Sequence, residues 1–214
     1  MITHPRQNRV TPFGEIESTA AKGLFLGNRG DIHAADGGLS NRRWAVKAWI
    51  CCALTSKSGS RVEFDRKGTY YPLFFADEAT AFAAGHRPCA MCRYRDYRNF
   101  KRHWQAAKHI EPHQFVSAAD IDRQLQASRI DAARRKITFP ARLGDLPDGA
   151  MLTFPDSPAE ARLLWLGKTW RWSHSGYDDP QTAAEKADVS VLTPAPFIEV
   201  FRAGYTAVIH PSAR

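Results

Sequence analysis

The sequence feature that most limits what this chain can fold into is its set of four cysteines, which fall in two tight pairs: Cys51-Cys52 and Cys89-Ala90-Met91-Cys92. The second pair is a C-x-x-C motif. Placed on the first turn of a helix, its sulfurs share one face and can reach one ion. A helix N-terminus and the flanking Arg87 and Arg93 favour thiolate over thiol, the form a metal needs. Zinc is the ion best matched to several thiolates. The first pair sits in a run rich in β-branched and aromatic residues, 43–54, that reads as a strand. Adjacent strand residues point to opposite faces, so at least one of Cys51 and Cys52 is expected as a ligand, with neither preferred. A fourth ligand is the other cysteine or a histidine, with His33, His86, His103 and His109 as candidates. A redox motif, or four reduced thiols without metal, are the competing readings.

The rest of the chain divides into three segments. Residues 1–115 hold all four cysteines and a glycine-rich arm. Residues 116–142 form a short basic helical connector. Residues 143–214 read as a β-rich module, a small barrel or open sheet. The expected fold class is α+β, a small zinc-stabilised α/β core joined to that module. In the first segment a turn is expected at 57–60 and strands at 61–64 and 70–75. Asp77 is expected to cap a helix over 78–84 that Gly85 closes, and a second helix is expected from Pro88 to about residue 107. Ser117 and Asp120 predict a capping box for the connector helix. In the last segment strands are expected at 150–154, 161–166, 169–173 and 189–192, with a closing helix over 196–203 and loops at 156–160 and 178–186. No internal repeat is visible. Gly27-Asn28-Arg29-Gly30 reads equally as a phosphate cradle or a plain turn, because it lacks P-loop and dinucleotide spacing.

A formal net charge of +8 suits a polyanionic partner, nucleic acid or an anionic membrane surface. No apolar run approaches the roughly 20 residues that cross a bilayer, and the first residues lack the apolar stretch of a secretory signal, so a cytoplasmic protein without a membrane partner is expected. Arg87, Arg93, Arg95, Arg98, Lys101 and Arg102 crowd the expected second helix, interleaved with Tyr94, Tyr97, Phe100 and Trp104. The aromatics are expected to face the core and the six cations to face outward, where they would contact phosphates without reading sequence. Trp165, Trp170 and Trp172 are core, a stacking platform for unpaired bases, or the lining of a pocket for a flipped base. Asp31, His33, Asp36, His174 and Asp178 are the candidate catalytic groups if the chain is instead a nucleic-acid hydrolase.

The run Phe74-Phe75-Ala76-Asp77-Glu78-Ala79, followed by Ala83-Ala84-Gly85-His86-Arg87-Pro88-Cys89-Ala90-Met91-Cys92-Arg93, resembles the metal-binding domain of bacterial Ada proteins, and the stretch from Trp44 to Cys52 looks like the strand that leads into that family's first cysteines. The resemblance covers residues 43–100. It implies a four-thiolate zinc domain, Cys51, Cys52, Cys89 and Cys92, that binds DNA in repair and accepts a methyl group from a backbone phosphotriester onto one ligand. Cys89 and Cys92 match the second ligand pair, and Cys51 or Cys52 the methyl-accepting first ligand. In the family the first two cysteines are several residues apart; here they are adjacent, and the spacer to Cys89 is longer. The reading this leaves is a zinc-containing DNA-binding protein of DNA repair or processing, with a zinc scaffold kept for gripping DNA favoured over methyl transfer. The alternative is a nuclease or base-excising enzyme with a structural cysteine site.

Overall fold

The computed structural model describes residues 5–55 and 68–214. Among these residues the fold is α+β, as expected, with four α-helices and two six-stranded sheets. In chain order the elements are β1 (Gln7–Val10), β2 (Ile16–Ser18), β3 (Phe25–Asn28), β4 (Ile50–Cys52), β5 (Leu73–Phe75), α1 (Glu78–Ala83), β6 (Arg87–Pro88), α2 (Tyr94–Ala107) and α3 (Ala118–Arg129). They continue with β7 (Phe139–Arg142), β8 (Met151–Thr153), β9 (Arg162–Trp165), β10 (Lys168–Ser173), β11 (Gly176–Gln181), β12 (Asp188–Val191) and α4 (Ala195–Arg202). The first sheet is mixed, in the order β2-β1-β5-β3-β4-β6, with β1·β5 and β4·β6 parallel. The second is antiparallel throughout, in the order β11-β10-β9-β8-β12-β7.

The two helix caps expected from the sequence, at Asp77 and Ser117, are both present. Asp77 Oδ1 accepts from Thr80 N at 2.8 Å, and Ser117 and Asp120 exchange both bonds of a capping box. Gly85, at φ +85°, turns the chain out of α1, and a Cβ there would lie 2.6 Å from Arg129 Cδ, so both conformation and contact require glycine. Gly27 is required for another reason: a Cβ would lie 2.4 Å from the Phe75 ring across the sheet. Gly27-Asn28-Arg29-Gly30 is the end of β3 and a plain turn, with Gly30 N donating to Asn28 Oδ1.

Three expectations give way. The strand over 43–54 shrinks to Ile50–Cys52, because the preceding residues bend to bury Trp49, whose indole N–H donates to Val46 O at 3.1 Å. The helix expected from Pro88 begins at Tyr94. Arg87–Pro88 is instead an edge strand, where proline's missing N–H is tolerated, and it pairs with Ile50 and Cys51. The loop expected at 178–186 is in part strand, since β11 runs to Gln181 against β10. The turn and strand expected over 57–64 lie outside the described residues.

The three sequence segments do not have separate cores. A small core lies under the first sheet, around Val10, Ile32, Tyr71, Leu73 and Phe75. The large core joins α1, α2 and α3 to the second sheet and α4. Phe82 of α1 stacks on Phe197 of α4 at 4.7 Å, and Trp172 of β10 donates to Thr80 Oγ1 at 3.0 Å. The second sheet also begins earlier than expected, with β7 inside the presumed connector. Among the described residues no helix is long and apolar enough to cross a membrane.

Candidate metal centre and its basic flank

β4 is the strand that builds the thiol site. It pairs antiparallel with β3, so that Leu26 faces Cys52 and Gly27 faces Cys51, and parallel with β6, so that Cys51 faces Pro88. Cys89 N then donates to Cys51 O at 2.9 Å, which extends the pairing by one bond and sets the C-x-x-C turn against the end of β4. Strand alternation decides between the adjacent cysteines. Cys51 points inward and is fully buried in the small core, whereas Cys52 points the other way, toward Cys89 and Cys92.

The sulfurs of Cys52, Cys89 and Cys92 all lie within 4.8 Å of one another. A tetrahedral ion with Zn–S bonds of about 2.3 Å needs sulfurs about 3.8 Å apart, so an inward movement of less than about 1 Å would close the cluster on a metal. The donor set fits such an ion. Ala53 N and Met91 N donate to the sulfurs of Cys92 and Cys89, each at 3.4 Å, contacts that strengthen when sulfur carries negative charge. The Cys89 thiol is held far below its ordinary range by hydrogen bonds from Cys52 and Cys92, while the same contacts push Cys52 up. The cluster therefore favours negative charge on Cys89, while Cys52 and Cys92 are pushed up, and a cation would draw all three toward thiolate. Cys89 is buried; Cys52 and Cys92 are partly open to solvent.

Cys51 thus leaves the expected ligand set. Its sulfur faces the core and accepts from Arg93 Nη1 at 3.3 Å. The histidines proposed as a fourth ligand are engaged elsewhere. His86 is fully buried and its Nε2 accepts from Arg29 Nε, His103 Nδ1 lies 2.7 Å from Ala203 O, and His33 Nδ1 lies 2.7 Å from Asp31. Neither they nor His109 belong to the cluster, which among the described residues consists of the three cysteines.

Of the six cations expected to face outward, Arg87 and Arg93 face inward. Arg87 makes a two-pronged contact with Asp122, both bonds 2.8 Å, and Arg93 meets Glu78 at 2.7 Å and Asp96 at 2.8 Å. Both precede α2 and serve its docking. Arg95, Arg98 and Arg102 are exposed and Lys101 is half-buried, so these four do form a basic face. Tyr97, Phe100 and Trp104 face the core as expected, but Tyr94 does not. It is exposed on the basic face with Arg98 over its ring, and Lys101 lies over the ring of Phe115, which is 85% exposed. Met91 joins them at 80% exposure, beside the thiol cluster. The three- and four-residue spacing that identifies Tyr97, Phe100 and Trp104 as core also includes Tyr94, and only its place at the first helical turn distinguishes it.

The candidate catalytic residues do not converge. Asp31 and His33 pair with each other, while Asp36 Oδ1 is occupied by Gly38 N in a turn. His174 pairs with Glu17 at 2.8 Å, and Asp178 is held by Arg171 at 2.8 Å. The tryptophans of the second sheet pack against the large core: Trp170 is buried, and Trp165 and Trp172 lie partly buried against it. Comparison with known proteins gave no match to a family model, a curated protein or a solved structure.

Proposed function

We propose that this chain is a zinc-containing DNA-binding protein of DNA repair or processing, in which the ion holds the C-x-x-C turn against β4 and the neighbouring α2 face grips the nucleic acid. The observation that carries this reading is adjacency. The thiol cluster ends at Cys92, and two residues later α2 begins an exposed surface of Tyr94, Arg95, Arg98, Lys101 and Arg102, with Met91 and Phe115 beside it. Guanidinium and ammonium groups supply phosphate contacts, and exposed rings offer surfaces on which unpaired bases stack. The likeness of residues 74–93 to the Ada metal-binding domain supports the same reading. If the ion is present, Cys52, Cys89 and Cys92 hold it, and it supplies charge neutralisation and a fixed backbone. Cys52 is then the cysteine that would correspond to the methyl acceptor.

The test is elemental analysis together with DNA-binding titrations at several salt concentrations. Purified protein should carry about one zinc per chain, bind DNA, and lose affinity steeply as salt rises. Absence of metal with all thiols titrating freely overturns the first part, and absent or salt-insensitive binding overturns the second. Peptide mapping after incubation with DNA carrying methyl phosphotriesters should find Cys52 unmodified. Methylated Cys52 would convert the scaffold into an acceptor.

A further inference from the structure

Away from the thiol cluster, the junction between the first sheet and α3 holds several cations and few acids. Arg29 and Arg129 are both 1% exposed, and their guanidinium carbons lie 4.1 and 4.0 Å from the centre of the Trp49 ring. Lys136, in the segment that follows α3, reaches back to donate to Ala83 O. Arg43 completes the group at the solvent edge, where it pairs with Glu15. All four line one small cavity together with Trp49.

One nearby acid, Asp122, is committed elsewhere, taken on both oxygens by Arg87, and the other, Glu15, sits at the solvent edge of the cavity with Arg43. Among the described residues, Arg29, Arg129 and Lys136 form no ion pair; they donate only to neutral acceptors, such as the carbonyls of Gly14, Gly85, Lys47 and Ala83 and the His86 ring nitrogen. Arg129 Nε is buried with no hydrogen-bond partner among the described residues. Buried charge without a counter-charge is costly, and each cation here is unsettled by burial and by another cation. Arg29 is lowered to about 9 by burial and then by Arg43, with Glu15 opposing, Arg129 to about 9 by burial and then by Arg29, with Asp122 opposing, and Lys136 to about 7 by burial and then by Arg29.

We propose that this cavity is a binding site for a small tetrahedral oxyanion of the phosphate class, received by Arg29, Arg129, Lys136 and Arg43. Delocalised guanidiniums with fixed donors match phosphate oxygens. The space open to a water-sized group is about 20 Å³, which admits one small group rather than a base or sugar. One oxygen of the anion enters, and the remainder faces the exposed Arg43 edge. Both an inorganic anion and the terminal phosphate of a nucleic-acid strand present this chemistry. The site stands apart from the α2 face and does not depend on it.

The experiment uses the full chain. Inorganic phosphate and sulfate are titrated while Tm and heat of binding are followed, against sodium chloride at matched ionic strength. Phosphate and sulfate should raise Tm saturably beyond chloride. Lys136→Gln and Arg43→Gln, each checked for folding by circular dichroism, should weaken binding by about tenfold or more, the loss of one charge-assisted contact. No rise beyond chloride, or equal binding in both folded variants, overturns the proposal. A 5′-phosphorylated oligonucleotide that displaces phosphate, where its 5′-hydroxyl counterpart does not, assigns the site to a strand end. Failure of both oligonucleotides to displace bound phosphate assigns it to the free anion.

Discussion

The Arg93 guanidinium lies 2.7 Å from Glu78 Oε1, and both side chains are buried. The same guanidinium donates to Cys51 Sγ, and the same carboxylate accepts from Tyr205 OH at 3.0 Å and Val208 N at 2.9 Å. One ion pair therefore ties the residue after the C-x-x-C motif to the start of α1, to β4 and to the C-terminal tail. Removing Arg93 strands the buried Glu78 carboxylate, and removing Glu78 leaves Arg93 with the half-exposed Asp96 as its remaining acid. Glu78→Gln and Arg93→Met should each destabilise the protein by about 3–5 kcal/mol, measured by urea denaturation. The double variant should lose clearly less than the sum of the two, and strict additivity would show that the pair does not act as a unit.

The division of labour between the adjacent cysteines gives a second expected outcome. Cys52→Ser, Cys89→Ser and Cys92→Ser each remove one of the three clustered sulfurs and should lower the metal content of the purified protein. Cys51→Ala removes a buried thiol from the small core and should leave the metal content unchanged while lowering stability modestly. Metal analysis with thermal melts of the four variants distinguishes them. Loss of metal in Cys51→Ala with retention in Cys52→Ser would reverse the assignment.

Local chemistry was legible in the sequence where a short signal decides a short element. Asp77 and Ser117 announce their helices through their caps, and Gly85 marks the exit from α1. The β-rich segment was readable for the same reason, since its strands alternate between recognisable turns. The thiol cluster was readable in part: strand alternation says that Cys51 and Cys52 face opposite ways, but which one faces Cys89 depends on β4 pairing with β6. Arg87 and Arg93 looked like surface cations because their acids, Asp122 and Glu78, are distant in sequence. Arg29 and Arg129 were similarly opaque. They meet across 100 residues on Trp49, a contact no local pattern encodes.

The α2 face separates surface cations from structural ones by experiment. Arg98→Ala and Lys101→Ala should weaken DNA binding roughly equally for all sequences and each reduce the salt slope by about 1. Tyr94→Ala should cost about 1–3 kcal/mol of binding to single strands if its ring stacks on a base. Arg87→Ala, whose guanidinium is held by Asp122, should lower Tm and leave the salt slope of the remaining folded protein unchanged. Fluorescence anisotropy across a salt series measures all four, and a slope reduced by Arg87→Ala would place that side chain on DNA after all.

Lys136 makes stability depend on pH in a direction opposite to the usual salt-bridged lysine. Burial, and then the Arg29 charge, lower its amine to about 7, while the unfolded chain keeps the proton to about 10.5. Between these values the unfolded state binds more protons, so the contribution of Lys136 to stability rises with pH, by at most about 1.4 kcal/mol per unit. Below about pH 7 both states are charged and the full penalty of burying the cation applies. Lys136→Met removes that penalty. The variant should therefore exceed the wild type most at pH 6 to 7, and the difference should shrink toward pH 10; urea denaturation at each pH gives it. A saturating tetrahedral anion keeps the Lys136 proton in the folded state, so sulfate, which does not itself titrate here, should flatten the wild-type slope. A wild-type-minus-variant difference that is constant across this range would mean that the Lys136 amine is solvated in the folded protein.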